Sequence, residues 1–163
     1  MQNNQGISVN DAIKKLEYYC SYQDRCYKEV TMKLKSLGMF QTAIDHILDH
    51  LVANNFLNEE RFAKSFARGK HKFKQWGKRR IEQELKFRDI SSYNIKTALK
   101  EIESDYLSNF YALAERKWQN ITEPSLDKKK RKWVDFLMRK GYESNLIFDF
   151  LKDVIIKSIK EDK

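Results

Sequence analysis

The sequence predicts an all-α fold, an elongated tandem array of three three-helix repeats. One spacing of apolar residues recurs three times, about 51 residues apart. Within each recurrence the apolar residues lie 3, 4 and 7 positions apart, which is the spacing of one helix face. One proline and five glycines supply little turn chemistry for a β-rich protein. A repeated unit that cannot bury its apolar face alone must stack on its neighbours, so we expect an array.

The repeat is anchored at Leu34, Leu85 and Leu137. Apolar residues stand at the same five offsets from each anchor, and we expect those at −4, +10, +14 and +17 to be buried. At −4, +10, +13, +14 and +17 these are Val30, Ile81 and Trp133; Ile44, Ile95 and Ile147; Ile47, Ala98 and Phe150; Leu48, Leu99 and Leu151; and Leu51, Ile102 and Val154.

The pattern divides into nine predicted helices, with Pro124 marking the one long loop, between the seventh and the eighth. The predicted helices cover residues 9–20, 24–37, 41–54, 58–75, 78–88, 91–103, 105–120, 126–140 and 143–160. The predicted segments are a flexible N-terminus at 1–8, repeat 1 at 9–55, repeat 2 at 56–104 and repeat 3 at 105–160.

Helix ends are marked by polar residues and glycines. Asn58 and Ser91 are predicted N-caps, because both side chains can accept a hydrogen bond from a free backbone N–H. Gly38 and Gly141 stand four residues after their anchors, where a left-handed residue ends a helix. Asp89 occupies the matching place in the middle unit and adopts that conformation less easily, so we expect that turn to differ.

Composition favours a packed protein of a reducing compartment. Hydrophobic residues make up 41% of the chain, and no apolar run approaches the roughly 20 residues that span a bilayer. The first ten residues have no basic and apolar regions of a signal peptide. Cys20 and Cys26 are the only cysteines, and we interpret them as small apolar core residues. We predict a cytoplasmic protein.

Positive charge is concentrated in two segments. The net charge is +9, and residues 61–80 carry nine basic residues and no acidic one. Residues 127–140 carry seven basic and two acidic residues. A lysine run is often only a solvated helix face. Here residues 61–80 contain no carboxylate that could form an i,i+4 pair, which favours a polyanionic partner.

The candidate contacts to DNA or to an acidic protein surface come from both segments. They are Arg61, Lys64, Arg68, Lys70, Lys72, Lys74, Lys78, Arg79, Lys128, Lys129, Lys130 and Arg131.

Aromatic residues accompany the first basic segment. Phe62, Phe66 and Phe73 form an apolar stripe along the fourth helix, and we expect Phe62 and Phe66 to pack in the core. Phe66, Phe73 and Trp76 also lie beside the basic residues, where an aromatic ring can stack on a nucleic-acid base.

The residues indicate neither catalysis nor a cofactor. His46 and His50 are four apart on a helix, but no third metal ligand accompanies them. We find no glycine-rich phosphate loop and no Ser/His/Asp arrangement. We therefore predict that the protein is not an enzyme and binds no metal or cofactor.

Residues 56–85, FLNEERFAKSFARGKHKFKQWGKRRIEQEL, resemble the signature of the RecX family, bacterial regulators of the RecA recombinase. Flanking segments resemble the family's first and third units, so that the resemblance covers residues 11–156. The departures are Asp89, where the family usually has glycine, and the apolar pair Met39-Phe40. The matching elements are Phe56-Leu57 and the acidic pair after them, Arg61-Phe62-Ala63, Phe66, Arg68, Gly77, Arg80-Ile81 and Glu84-Leu85.

The resemblance implies three tandem three-helix repeats and a monomeric protein that lies along the groove of the RecA–DNA filament. There it would hinder filament growth, ATP hydrolysis and strand exchange in DNA repair, homologous recombination and the SOS response. It also implies binding to single- and double-stranded DNA without sequence specificity, and no membrane partner. Two alternatives from the residues alone stay open: a helix-turn-helix protein acting on promoters, and a helical adaptor with protein partners only.

Overall fold

The computed structural model describes residues 6–163, and every regular element in that range is an α-helix. All nine predicted helices are confirmed, each end within three residues of its prediction. Of the predicted flexible segment 1–8, residues 1–5 lie outside the described residues. The helices are α1 (Val9–Tyr22), α2 (Tyr27–Ser36), α3 (Gln41–Ala53), α4 (Glu59–Lys74), α5 (Lys78–Phe87), α6 (Ser92–Lys100), α7 (Glu103–Asn120), α8 (Leu126–Lys140) and α9 (Ser144–Glu161).

Both predicted N-caps, Asn58 and Ser91, are confirmed. The Asn58 side chain accepts a hydrogen bond from the backbone N–H of Arg61 at 2.9 Å. The Ser91 hydroxyl accepts one from the backbone N–H of Asn94 at 3.2 Å. Each side chain thereby satisfies a backbone donor that the first helical turn leaves without a partner.

The turn after the anchor leucine is the same in all three repeats. Gly38, Asp89 and Gly141 have φ angles of 80°, 59° and 96°. The expectation that the Asp89 turn differs is wrong, because aspartate is among the residues that tolerate the left-handed region as single residues. In each turn the next backbone N–H donates to the anchor carbonyl: Met39 to Leu34 at 3.1 Å, Ile90 to Leu85 at 3.1 Å and Tyr142 to Leu137 at 3.2 Å.

The helices bury the predicted faces in two clusters. We call α1–α3 repeat 1, α4–α6 repeat 2 and α7–α9 repeat 3; the boundaries given above stay a prediction. The anchors and their neighbours at −4, +10 and +17 are all buried, whereas Leu48, Leu99 and Leu151 at +14 are half-buried. Repeat 1 has its own core, and repeats 2 and 3 share one core, which Cys26 of repeat 1 also joins.

The apolar stripe of α4 becomes exposed to solvent toward the C-terminal end of the helix. Phe62 is buried and Phe66 is half-buried, but Phe73 is 77% exposed. The core packing expected of Phe62 and Phe66 is confirmed, whereas Phe73 lies at the surface near the end of α4. Cys20 and Cys26 are buried free thiols, as predicted. Within residues 6–163 no helix is long and apolar enough to cross a membrane.

Candidate nucleic-acid and protein interface

Three of the predicted contact residues on α4 are paired with carboxylates. The expectation that this run lacks such partners is wrong, because Glu60 lies just before it and two other partners come from distant parts of the chain. The pairs are Arg61 with Asp24 at 2.8 Å, Lys64 with Glu60 at 2.9 Å and Arg68 with Glu101 at 3.2 Å.

Arg61 holds repeat 1 against α4. Its Nε donates to Asp24, which lies between α1 and α2, at 2.8 Å. Its terminal nitrogens donate to the Asn55 side chain, the Asn55 carbonyl and the Phe56 carbonyl at 3.1 to 3.2 Å. Because the Arg61 guanidinium donates all of these hydrogen bonds, it stabilises the junction between repeats 1 and 2.

The other predicted contacts of the first basic segment make no ion pair within residues 6–163. They are Lys70, Lys72, Lys74, Lys78 and Arg79. Lys78 Nζ lies 4.7 Å from the centre of the Tyr106 ring, and Lys72 Nζ lies 5.4 Å from that of Phe73. A cation over a ring keeps its full charge for an external anion.

The turn between α4 and α5 rests directly on the turn between α8 and α9. The backbone N–H of Gly77 donates to the Lys140 carbonyl at 2.7 Å, and that of Arg79 donates to the Gly141 carbonyl at 2.9 Å. A Cβ on Gly77 would overlap the Gly141 carbonyl, and one on Gly141 would overlap Arg80. This backbone contact fixes the start of α5 relative to repeat 3.

Tyrosine side chains reinforce the same junction. The Tyr106 hydroxyl accepts a hydrogen bond from the backbone N–H of Lys78 at 3.0 Å and donates to Glu143 at 2.8 Å. The Tyr142 hydroxyl donates to the Gln75 carbonyl at 3.0 Å. Burial raises the pKa of both phenols, that of Tyr142 to about 12. Sequence reasoning missed these residues, since the bonds join positions far apart in the chain.

A cluster of cations lies across this junction. Lys140 Nζ donates to the Lys74 carbonyl at 3.0 Å, and Arg80 Nη1 donates to the Arg139 carbonyl at 3.1 Å. Burial, with the charges of Arg80 and Lys74, lowers the pKa of Lys140. Arg80, Arg139 and Lys140 were not among the predicted contacts, although Arg80 ends the first basic segment, and Arg139 and Lys140 end the second.

The predicted contacts Lys128, Lys129, Lys130 and Arg131 lie in the first turns of α8. Lys129 Nζ is 4.5 Å from the centre of the Trp118 ring. Since a helix rises about 1.5 Å per residue, Lys130 is roughly 15 Å from Lys140 along α8. The end of the second basic segment thus meets the first at the junction, whereas its predicted contacts lie at the opposite end of α8.

The structure pairs one of the two predicted histidines with a carboxylate of another helix. His50 Nε2 lies 2.8 Å from the Glu17 carboxylate, which joins α3 to α1. In the described part of the chain no three His, Cys, Asp or Glu side chains converge as metal ligands.

Family models match the two repeats that carry this interface. The model described as RecX, second three-helix domain, matches residues 58–99, and that of the third three-helix domain matches residues 103–151. The regulatory protein RecX of Vibrio campbellii is 33% identical over 125 residues, covering 77% of this chain and 77% of that protein. The chain belongs to the RecX family. The family resemblance of residues 56–85 is thus confirmed.

Other RecX proteins differ from this chain in length. Regulatory protein RecX of Bacillus cytotoxicus is 26% identical over 89% of this chain, which spans only 52% of that relative's length. The crystal structure of RecX from Lactobacillus salivarius superposes with a TM-score of 0.77 at 23% identity, covering 91% of this chain and 97% of the other. That likeness confirms the all-α fold of tandem three-helix repeats.

Proposed function

We propose that this protein is a non-enzymatic regulator of RecA that binds in the groove of the RecA–DNA filament. In this proposal it slows filament growth, ATP hydrolysis and strand exchange, and it acts as a cytoplasmic monomer. Membership of a family whose members are named regulatory proteins supports the choice of partner. The observation that carries the proposal is the set of cations without carboxylate partners, within the described residues, at the junction of repeats 2 and 3.

The physical role of these cations is charge pairing along a track. Lys70, Lys72, Lys74, Lys78 and Arg79 supply contacts to DNA phosphates or to acidic RecA side chains. Phosphate contacts position a protein without reading sequence, so single- and double-stranded DNA both bind. The residues Lys128 to Arg131, at the end of α8 that lies about 15 Å from Lys140, provide a second point of contact. Two points on one rigid body bind more tightly than either alone, because the second contact forms at high effective concentration.

Arg61, Lys64 and Arg68 have a smaller part in the proposal. Each is already paired with a carboxylate, so a phosphate would have to displace that partner. We assign Arg61 to holding repeat 1 in place, and Lys64 and Arg68 to the margin of the track.

The direct test adds the purified protein to RecA from the same cell during filament assembly on single-stranded DNA. We expect substoichiometric amounts to slow net filament growth and RecA-dependent ATP hydrolysis, because one array contacts several protomers. If filament length and hydrolysis stay unchanged across a wide range of ratios and salt concentrations, the RecA assignment is wrong.

A double charge reversal tests the track itself. Lys78→Glu with Arg79→Glu should weaken binding to all DNA sequences alike and reduce the slope of log affinity against log salt. The expected reduction is about 0.7 to 0.9 for each phosphate that the variant no longer neutralises. Acidic residues in the first turn of α5 agree with the helix dipole, so the fold should persist.

The matched control is Lys96→Glu with Lys100→Glu, which makes the same charge change on exposed positions of α6. Equal effects of the two pairs would reduce the first basic segment to a solvated face. A loss confined to particular sequences would favour the promoter-binding alternative, and no affinity of the wild type for any DNA would favour the adaptor.

A further inference from the structure

The structure separates the three aromatic rings that accompany the basic segment. The Phe66 ring is covered, with Arg88 Cζ 4.8 Å and Lys70 Nζ 5.4 Å from its centre. The Trp76 ring is covered as well, with Arg80 Cζ 4.1 Å and the same Lys70 Nζ 5.0 Å from its centre. Both side chains are half-buried and pack against the core.

Phe73 is the exception. Its side chain is 77% exposed, and the cation beside its ring, Lys72 Nζ, is 5.4 Å away. A large apolar ring in this position gains nothing from the core of the protein. It stands at the end of the α4 stripe, where a ligand can reach it.

Gly69 lies one helical turn before Phe73, in the interior of α4. A Cβ at Gly69 would meet nothing within 4 Å, so packing within the protein does not require glycine there. Glycine inside a helix is less stable than alanine, so this position weakens α4 without an internal reason. Because helical side chains lean toward the helix N-terminus, the Phe73 ring extends toward the turn that contains Gly69. The missing side chain leaves a slot beside the ring.

The slot opens into a groove of about 460 Å³ between repeats 1 and 2. Its α4 wall carries the cations Lys70 and Lys74, and its repeat 1 wall carries the carboxylates of Asp24 and Glu29. The carboxylate of Asp24 is occupied by Arg61. Glu29 Oε2 is buried and has no hydrogen-bond partner among the described residues. Arg88 also lines the groove but is paired with Glu84 at 2.9 Å. The charges therefore favour phosphates on the α4 wall, with an uncharged group lying between the walls.

We propose that this slot takes one base of a single-stranded nucleic acid, stacked on Phe73 beside Gly69, with the flanking phosphates on Lys70 and Lys74. The assignment rests on the proposed function and deepens it, because it places selectivity for single strands in one residue. A base in a duplex is already stacked and paired, so duplex DNA uses the cations but leaves the slot empty.

The test compares three probes of equal length by fluorescence anisotropy: an oligothymidine single strand, a duplex, and an abasic sugar-phosphate strand. Phe73→Leu should bind the oligothymidine about tenfold more weakly, the size expected for loss of one stacked base. Its affinity for the duplex and for the abasic strand should equal that of the wild type. Phe87→Leu is the matched control, since Phe87 is 71% exposed beside Lys28 but does not line the groove.

A second variant fills the slot without touching the ring. Gly69→Leu should weaken binding of the oligothymidine by a similar factor, while the melting temperature stays the same or rises because leucine favours a helix. Weaker binding together with an unchanged or higher melting temperature distinguishes a blocked slot from a damaged fold.

Four outcomes overturn the proposal. Oligothymidine affinity that neither variant changes would remove the stacking site and leave the proposed function intact. An equal loss on the abasic strand would assign the effect to charge or folding. A loss confined to RecA binding without DNA would assign the slot to a protein side chain. A wild type with no affinity for any probe would overturn the nucleic-acid part of the proposed function, and this site with it.

Discussion

The two junctions between the repeats are built from different chemistry. Beside the core that they share, repeats 2 and 3 meet through their backbones, where Gly77 and Gly141 approach too closely for any side chain. Repeats 1 and 2 meet through charged side chains, above all Arg61 with Asp24 at 2.8 Å, while a groove stays open beside them. Close backbone contact allows one geometry, whereas long charged side chains adjust to several.

The difference explains where each kind of binding surface lies. A fixed junction holds the cations on both sides of it, such as Arg79 and Lys140, at constant separation, which suits repeated contacts to a regular polyanion. An adjustable junction with a groove suits a ligand that inserts. Lys78 and Arg79 of the track lie at the junction of repeats 2 and 3. The Phe73 slot, with Lys70 and Lys74 of the same track beside it, lies at the groove between repeats 1 and 2.

The largest effect is expected from a methyl group at the backbone contact. Gly141→Ala combines left-handed strain with overlap against Arg80 and should lower the free energy of unfolding by about 2–5 kcal/mol. Gly38→Ala is the matched control, because Gly38 has the same kind of φ but open space around it. It should cost about 1–2 kcal/mol. Urea unfolding of both variants measures the difference, and equal losses would refute the tight junction.

Alkaline pH should act on the same junction with an intermediate effect. The native state keeps the Tyr142 proton to a pKa of about 12, whereas the unfolded chain releases it near 10.0. The unfolded state thus binds fewer protons between these values, so stability is lost as pH rises through them. The loss from Tyr142 should reach about 2 kcal/mol by pH ~11.5.

The measurement is the free energy of unfolding by urea at one pH below 10 and one near 11.5. Between these pH values Tyr142→Phe should lose about 2 kcal/mol less stability than the wild type. Tyr93→Phe removes an exposed phenol and should leave the loss as in the wild type. If both variants follow the wild type, the Tyr142 phenol is not held neutral by the junction.

The smallest effect is expected at the ionic junction. Asp24→Asn weakens the pair with Arg61, which is partly exposed to solvent, and should cost about 0.2–1 kcal/mol. Salt screens such pairs, so the cost should shrink at high ionic strength, unlike that of Gly141→Ala. Urea unfolding of Asp24→Asn and Gly141→Ala at low and high salt measures these costs. Glu123→Gln is the control, because it removes an ion pair within repeat 3. A cost at Asp24 as large as that at Gly141, and independent of salt, would remove the contrast between the junctions.

Much of the fold was predictable because its signals are local. Helical spacing, the caps Asn58 and Ser91 and the turn glycines each depend on residues within a few positions. The buried anchors followed from the repeat, since the same face is apolar three times. The turn at Asp89 was wrongly predicted to differ from the two glycine turns. The hydrogen bonds of the turn outweigh the preference of aspartate for other backbone conformations.

For the candidate site, the sequence predicted which stretches of the chain are basic but not how their side chains are arranged. Charge along the chain located the basic segments but not their partners, because Asp24 and Glu101 reach α4 from 37 and 33 positions away. Periodicity likewise placed Phe73 on the apolar face of α4 without showing that no neighbour covers it.

The sequence by itself determined the nine helices, their ends, the three repeats and the family, because these depend on short-range spacing and on motifs. Only the tertiary structure decided which cations of the described residues stay without carboxylate partners, which aromatic ring is open, and that Gly77 meets Gly141. The physical reason is that burial and ion pairing are properties of surfaces brought together by stacking. A helix face carries no record of how far its neighbour extends.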